Sequence, residues 1–213
     1  RIDDFDFDAG LGLMVGISRF VDTNLPPRFA TLLAAADTNR LDAAFVNFGA
    51  TESLRRVLLL PALTLETSTN RVVRDVAVVR IGTGSDGALA IVDVTVPSAP
   101  QLLNRFSVPP GEGTPAGLQR RADGLLAVAT SRGTLLLEPL QLARPAAGGV
   151  HPSIVGRVEG TGTGVRDFVA DASGVNLTHG GGTRRYVETA PPFSFVHFNA
   201  PINPKDRATQ PPA

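Results

Sequence analysis

The 213-residue sequence contains no cysteine and only one lysine, Lys205. The lack of cysteine excludes disulfides, thiolate zinc sites and a cysteine nucleophile, but it is compatible with cytosol, periplasm or cell surface. Because the remaining basic residues are arginines, biased codon usage explains this composition more simply than a dedicated anion-binding site does.

Excess charge and long apolar runs are also missing. Twenty Lys and Arg residues balance twenty Asp and Glu residues, so nothing in the charge favours nucleic acid or an anionic membrane as a partner. The apolar runs are strand-sized, as at Val57–Leu60 before Pro61, whereas a spanning helix needs about 20 apolar residues. We therefore expect no nucleic-acid partner and no membrane insertion.

What the sequence does contain is strand signals. Phe5 and Phe7 alternate with aspartates, which predicts a strand with one buried, aromatic face. Val76–Val79 and Ala90–Val94 are rich in β-branched residues and are separated by the Gly-rich stretch Gly82–Gly87. Short strands with dense turns predict an all-β fold.

A signature recurs along the chain: a glycine, a few residues, an apolar pair and an acid. Its glycines are 71, 46 and 49 residues apart, and the last two intervals are typical of a propeller blade. The copies begin at Gly16, Gly87, Gly133 and Gly182 and end at Asp22, Asp93, Glu138 and Glu188.

A second marker, an aspartate followed by an apolar residue, precedes three of these glycines by 12 to 15 residues, at Asp4, Asp75 and Asp167. The linked markers predict a strand, a Gly-containing turn and a second strand, which together would form the inner hairpin of a four-stranded blade. Residues 102–108 would then be the outer strand.

The interval of 71 residues does not fit, and two explanations remain open for residues 28–65. A short helical insertion near residues 28–47 would account for Leu32 and Leu33 among neighbouring alanines, which are good helix formers. Alternatively, residues 45–47 and 56–65 form a short, degenerate extra blade, which is the explanation we favour.

Residues 87–100, GALAIVDVTVPSAP, resemble the LVIVD repeat, a β-propeller repeat of bacterial and archaeal proteins, many of them at the cell surface. The similarity is best over residues 74–103, with weaker copies elsewhere. Pro139 and the pair Arg184–Arg185 depart from the family pattern. The resemblance implies a propeller fold and a scaffold or interaction role, and it carries no catalytic set to transfer.

The resulting fold prediction is a β-propeller, or a partial propeller-like repeat array, of about four to five blades. Residues 1–199 would form this repeat domain, either alone or as part of a longer chain. Residues 200–213 are polar and rich in proline, which predicts a tail or linker.

One stretch imitates a metal site. Asp4, Asp6 and Asp8 alternate like the first half of a calcium loop. The position of the loop glycine holds Ala9, however, and the position of its bidentate glutamate holds Val15. We therefore expect strand residues here, and for Asp167 and Asp171 a structural role as acceptors of backbone N–H groups.

The three histidines, His151, His179 and His197, lack ligand spacing, which favours a surface or capping role for each. His179 precedes a run of glycines, where a histidine over a propeller channel could act as a base or ligand. We assign no catalytic, cofactor-binding or metal-binding residue and expect no cofactor.

The leading functional hypothesis is a non-catalytic propeller scaffold or protein-interaction module, exported to the periplasm or cell surface, whose partners are proteins or neighbouring repeats of a larger assembly. One alternative is a propeller hydrolase or lactonase with a metal in its channel, built from Asp4, Asp75, Asp167 and His179. Another is a structural segment of a larger surface or filament protein.

Overall fold

The structure is a computed structural model, and it describes the chain in ranges that are separated by short gaps. Side chains are described as far as residue 156. The described ranges are 2–18, 26–34, 41–68, 70–83, 86–109, 115–121, 124–130, 133–145, 150–159, 165–171, 174–179, 182–190 and 194–197.

Nearly all regular structure in these ranges is β-strand. The one helical element described is a short 3-10 turn at Pro139–Gln141. The strands are β1 (Asp4–Asp8), β2 (Leu13–Ser18), β3 (Arg28–Ala34), β4 (Leu41–Asn47), β5 (Ser53–Glu66), β6 (Arg71–Thr83), β7 (Asp86–Asp93), β8 (Gln101–Ser107), β9 (Pro115–Arg120), β10 (Leu126–Thr130), β11 (Gly133–Leu137), β12 (Ile154–Glu159), β13 (Val165–Asp171), β14 (Gly174–His179), β15 (Gly182–Ala190) and β16 (Ser194–His197).

The strands form four antiparallel sheets, each of four strands that are adjacent in chain order: sheet I is β1–β4, sheet II β5–β8, sheet III β9–β12 and sheet IV β13–β16. Each sheet is thus a simple meander, in which every strand pairs with its neighbour in sequence. The predicted all-β class is confirmed.

Two compact units divide the chain: Arg1–Pro110 with Pro139–Ser153, and Gly111–Glu138 with Ile154–Ala213. The first holds sheets I and II, and the second holds sheets III and IV. The predicted extent of the repeat domain, residues 1–199, stays a prediction, and the predicted tail at 200–213 lies outside the described residues.

The core of the first unit lies between sheets I and II. Every second residue of β2, such as Val15 and Ile17, is buried in one cluster with Ala77, Val79 and Ala90 of sheet II. Each large apolar side chain withdrawn from water in this way contributes roughly 1.5–3 kcal/mol. The period of two therefore fixes which face of each strand meets the other sheet.

In the second unit, the central strands of sheet III have no exposed side. All residues of β10 and β11 are buried, so these strands are covered on both faces. Such continuous apolar runs are typical of strands in the middle of packed layers.

Both explanations offered for residues 28–65 are wrong. The helix predicted near 28–47 is replaced by β3 and β4, which pair along their whole length. The extra blade is wrong too, because residues 45–47 belong to sheet I and residues 56–65 to sheet II. Phe29 and Thr31 alternate into the core, and this burial overrides the helix propensity of Leu32 and its neighbours.

The predicted hairpin between the aspartate marker and the glycine signature is confirmed in sheets I and II. Gly87 lies in β7, directly paired with the Asp75-containing β6, and Gly16 lies in β2, directly paired with the Asp4-containing β1. The strand of Gly16 is however the second of its sheet, whereas Gly87, Gly133 and Gly182 lie in third strands. Between Asp167 in β13 and Gly182 in β15 there is a further strand. Gly16 and Gly87 are 71 residues apart because Gly16 lies one strand earlier in its sheet than Gly87 does.

The outer strand predicted at residues 102–108 is confirmed as β8, residues 101–107, at the edge of sheet II. It pairs with β7 across a bulge beside Ile91. Residues 74–103, for which the LVIVD resemblance stays a prediction, cover much of β6, all of β7 and the start of β8.

Candidate functional site

The carboxylates of β1 lie against the outer edge of β5, the edge that does not pair with β6. Asp4 Oδ2 accepts a hydrogen bond from the backbone N–H of Val57 at 2.9 Å, and Asp6 Oδ2 accepts one from Leu59 at 2.8 Å. An edge strand presents unpaired N–H groups that cost free energy when they are buried without a partner. The two aspartates satisfy these donors in β5.

Both hydrogen bonds advance by two residues in β1 and in β5, so the two strands run parallel. The guanidinium of Arg56 adds an ion pair, with Nη1 3.3 Å from Asp4 Oδ1. The next position along β5 in this series is Pro61, which has no N–H to donate. Asp8 instead accepts the N–H of Leu11 in the following turn at 2.9 Å.

The strand predicted from the Asp–Phe alternation is confirmed, but the predicted orientation of its faces is wrong. Phe5 and Phe7 are 62% and 52% exposed, whereas the aspartates are half-buried. The reason is the position of β1 at the edge of sheet I, where the inward face meets the amides of β5 rather than apolar side chains.

Asp75 stabilises a bulge in β5. Leu60 and Leu63 pair with Val76 and Arg74, so two residues of β5 oppose Asp75 alone. The carboxylate of Asp75 accepts the N–H of Ala62 at 2.8 Å, and Ala62 has a φ of 49°, a conformation that L-residues rarely adopt. Asp75 therefore closes a kink in the strand.

The acid that ends the recurrent signature, Asp93, has a comparable structural role. Its Oδ1 accepts the N–H of Thr95 at 2.9 Å, and its Oδ2 lies 3.3 Å from Nε of Arg74. An aspartate that binds the N–H two residues later forms a local turn. In sheet II the signature acid thus stabilises the exit of β7.

These contacts test the alternative hypothesis that a metal ion is held by four residues in a channel, namely Asp4, Asp75, Asp167 and His179. Asp4 and Asp75 bind N–H groups five residues apart in β5, roughly 15 Å along a strand. The side chains of Asp167 and His179 lie outside the described set. Within the described part of the chain, no three acidic or imidazole groups are close enough to share a metal ion.

A polar cluster that the sequence analysis missed lies in the strap, the name used here for residues 139–153. Asn104 Nδ2, on β8, donates to the carbonyls of Leu142 at 2.8 Å and Arg144 at 2.7 Å. At the other edge of sheet II, Gln141 donates to Glu66 at 2.8 Å. The strap is thus hydrogen-bonded to both edge strands of the sheet.

His151 lies at the centre of this cluster. Its ring stacks on Phe106 with centroids 3.7 Å apart and an interplanar angle of 11°. Nε2 is 2.8 Å from the carbonyl oxygen of Arg144, which requires a proton on Nε2. Nδ1 then accepts from the hydroxyl of Ser153 at 2.7 Å. This is the neutral form of the ring, and burial lowers the pKa of His151.

The surface position expected for His151 is wrong, while a capping role fits its contact with the Arg144 carbonyl. Ser153 and His151 are spaced like a nucleophile and its base, but both are buried and both imidazole nitrogens are engaged within the strap. An acyl-transfer site needs a nucleophile that a substrate can reach. This pair is structural. The one signal of this cluster that the sequence offered was Pro139, which follows Glu138 where a continued strand was expected.

The chain matches no protein-family model, and no curated protein matches its sequence. No helix in the described ranges is long and apolar enough to cross a membrane.

Proposed function

We propose that this protein is a propeller-like array of four-stranded sheets that serves as a non-catalytic scaffold for protein interactions, exported or associated with the cell surface. The observation that carries the proposal is the use of the acidic residues. Asp4, Asp6, Asp75 and Asp93 each bind a backbone N–H group and leave no convergent set for chemistry among the described side chains.

The strand arrangement supports the propeller part of the proposal. Each sheet is a four-stranded meander, which is the topology of a propeller blade. Within the first unit, β1 and β5 are the first strands of successive sheets, and they lie side by side and parallel. First strands in that relation are expected where blades follow one another around an axis. The resemblance of residues 74–103 to the LVIVD repeat agrees with it.

The same parallel relation places two loops of the first unit at one end. The turn after β1, residues 9–12, begins near the level of Pro61 in β5. Residues 94–100 follow β7, which runs in the direction of β5 and ends near the same level. Loops grouped on a rigid sheet framework are where interaction proteins usually bind their partners.

The enzymatic alternative makes a different prediction, and assays of the full chain separate the two. Ester and lactone substrates should show no turnover with or without added zinc, calcium or manganese. Turnover that depends on a metal and is lost in Asp75→Asn would overturn the proposal in favour of a hydrolase.

Site-specific photocrosslinking tests the interaction role directly. A photoreactive residue at Leu11, in the loop after β1, should give discrete crosslinked proteins when the chain is expressed in cells of its source. The matched control is Val150 in the strap, because both residues are exposed. Crosslinks that are absent at Leu11, or identical at both positions, would contradict binding through this end.

A further inference from the structure

The strap is attached to sheet II by side chains. Sheet II consists of β5–β8, so the described part of the strap adds no strand to it. Two backbone hydrogen bonds of the strap are internal, from the N–H of Leu142 to the carbonyl of Pro139 and from the N–H of Arg144 to the carbonyl of Gln141, both 3.1 Å long. A segment held in this way can leave the sheet while the strands stay paired.

Three side-chain contacts make the attachment. Asn104 donates to two carbonyls of the strap, and Gln141 donates to Glu66 on the opposite edge strand. The third contact is the ring of His151, which stacks on Phe106 of β8. An imidazole changes its charge between about pH 5 and pH 8, whereas the two amides do not. His151 is therefore the contact that a mild change of pH can alter.

The hydrogen bonds of the His151 ring are those of its neutral form. Nε2 carries the proton that the carbonyl oxygen of Arg144 accepts at 2.8 Å. Nδ1 then has only a lone pair, and two donors of Ser153 point to it, the hydroxyl at 2.7 Å and the backbone N–H at 3.3 Å. The hydroxyl can rotate and accept a proton from Nδ1, but the N–H cannot. A second ring proton would thus meet a fixed donor.

The cations near the ring also disfavour a charged imidazole. Arg144 belongs to the strap itself. Arg80 on β6 opposes Leu89, and Leu89 in turn opposes Phe106 on β8. Because Phe106 carries the His151 ring, Arg80 lies on the face of sheet II that the strap contacts. Both arginines add positive charge on that side of the sheet.

The described carboxylates on this side of sheet II are engaged elsewhere. Glu66 accepts the hydrogen bond from Gln141, and Asp93 pairs with Arg74 at the exit of β7. None of the described hydrogen bonds or ion pairs joins a carboxylate to His151. Among the described groups, an imidazolium in the closed strap would therefore have no counter-ion.

Burial decides between the remaining effects. The face of Phe106 attracts a cation, but this attraction is small compared with the hydration that a buried imidazolium loses. Burial accordingly lowers the pKa of His151, and the hydrogen bond to the carbonyl of Arg144 offsets part of this decrease.

We propose that the strap is a pH-dependent latch, which protonation of His151 releases from β8 while the four strands of sheet II stay paired. The charged ring gains hydration by leaving Phe106 and Ser153, and the strap moves with it. Release uncovers Phe106, which is only 4% exposed when the latch is closed. This inference depends on the strap alone and is independent of the proposed scaffold role.

The direction of the response follows from the two states of the ring. In the released strap His151 binds a proton with its ordinary pKa of 6.5, and in the closed strap its pKa is lower. The closed latch therefore has its full stability above pH 6.5 and loses it as the pH falls toward the lower pKa. Over this interval the ratio of open to closed latch rises by up to about tenfold for each pH unit.

Hydrogen–deuterium exchange of the full chain between about pH 7.5 and pH 5 tests the latch. Each exchange rate is divided by the intrinsic rate of the unprotected amide at the same pH. We expect the protection of amides in residues 139–153 to fall by about tenfold or more over this range. The amides of Val76–Val79, at the buried centre of β6, should keep their protection.

His151→Gln is the variant that removes the titration. Its amide is neutral and can still donate to the strap carbonyl, so the protection of the strap should not change with pH. The matched control is Val150→Gln, an exposed position beside it, which should respond to acid like the wild type. A wild-type strap that does not respond to pH, or an equal response in His151→Gln, overturns the proposal. So does simultaneous loss of protection at Val76–Val79, because the sheet would then open with the strap.

The ring signals of the wild type give a second measurement, which decides the matter if glutamine alone loosens the strap. The chain has three histidines, and the signal that is lost in His151→Gln belongs to His151. Proton–carbon NMR spectra should show this ring titrating below pH 6.5, in the range where exchange in the strap accelerates. Titration at or above pH 6.5, or titration without faster exchange in the strap, would contradict the latch.

Discussion

Asp6 Oδ2 and the backbone nitrogen of Leu59 are 2.8 Å apart, and the bond between them joins the first strand of one sheet to the first strand of the next. Together with the bond from Val57 to Asp4, it uses a charged side chain as a main-chain acceptor. The acidic residues that most resemble a metal site in the sequence therefore contribute to the stability of the first unit.

Removing these acceptors should destabilise the protein. Asp6→Ala leaves the Leu59 N–H without its partner, and we expect the free energy of unfolding to fall by about 1–2 kcal/mol. Asp6→Asn keeps a neutral acceptor and should lose less. Urea unfolding followed by circular dichroism measures both variants.

The control on the same strand is Asp8→Ala. Among the described residues, Asp8 accepts only the exposed N–H of Leu11 within its own turn, so this substitution should cost less than Asp6→Ala. If the losses are equal, or if Asp6→Ala has no effect, the junction between β1 and β5 does not stabilise the unit as described here.

The bulge in β5 predicts a stabilising substitution. Ala62 has a positive φ, which costs an L-residue roughly 1–2 kcal/mol relative to glycine. Part of that gain is offset by the greater freedom of glycine in the unfolded chain. Ala62→Gly should raise the free energy of unfolding by up to about 1 kcal/mol.

Ala99→Gly is the matched control for this substitution. Ala99 is also an exposed alanine in a turn, but it has no positive φ, so the glycine should be neutral or destabilising there. Thermal or urea unfolding of the two variants compares them directly. A loss of stability in Ala62→Gly equal to that in Ala99→Gly would contradict the strained conformation.

Asn104 should control the order of the strap. Its amide donates to two carbonyls of residues 142 and 144, so Asn104→Ala leaves both without that donor, and we expect a loss of about 2 kcal/mol. Limited proteolysis should cut the variant within residues 139–153 faster than the wild type. Gln101→Ala, an exposed position on the same strand, should leave the cleavage rate unchanged.

His151 makes stability depend on pH. Burial lowers its pKa in the folded protein below the value of about 6.5 in the unfolded chain, so the unfolded state binds the proton more readily. The stabilising contribution is complete above pH 6.5 and is lost as the pH falls from there through the folded pKa.

Melting temperatures measured from neutral to mildly acidic pH test this dependence. The wild type should lose more stability on acidification than His151→Gln, whose side chain does not titrate. Parallel curves for the two proteins would show that His151 is not held neutral in the strap.

The sequence predicted those elements whose signals are local. The β-branched run Val76–Val79 became the buried centre of β6, and the alternation around Phe5 became β1. The sequence-based prediction was wrong where contacts with residues distant in sequence determine which face of a strand is buried. The outward orientation of Phe5 depends on Asp4 and Asp6 meeting β5, more than fifty residues later, and no pattern within β1 records that contact.

The same limit applies to the strap. Asn104 and His151 are 47 residues apart, and each has an ordinary local environment in the sequence. Their association depends on how the segment after Pro139 packs on sheet II, which periodicity does not encode. The error at residues 28–47 has a related cause, because pairing between β3 and β4 outweighs the helix propensity of Leu32 and Leu33.

Titration calorimetry of calcium and zinc into the full chain is the most direct test of the claim that the acidic residues are structural. We expect no stoichiometric binding in the wild type and the same result in the double variant Asp4→Asn, Asp6→Asn. Binding of one metal ion per chain that disappears in this double variant would contradict it and would identify a metal site on β1.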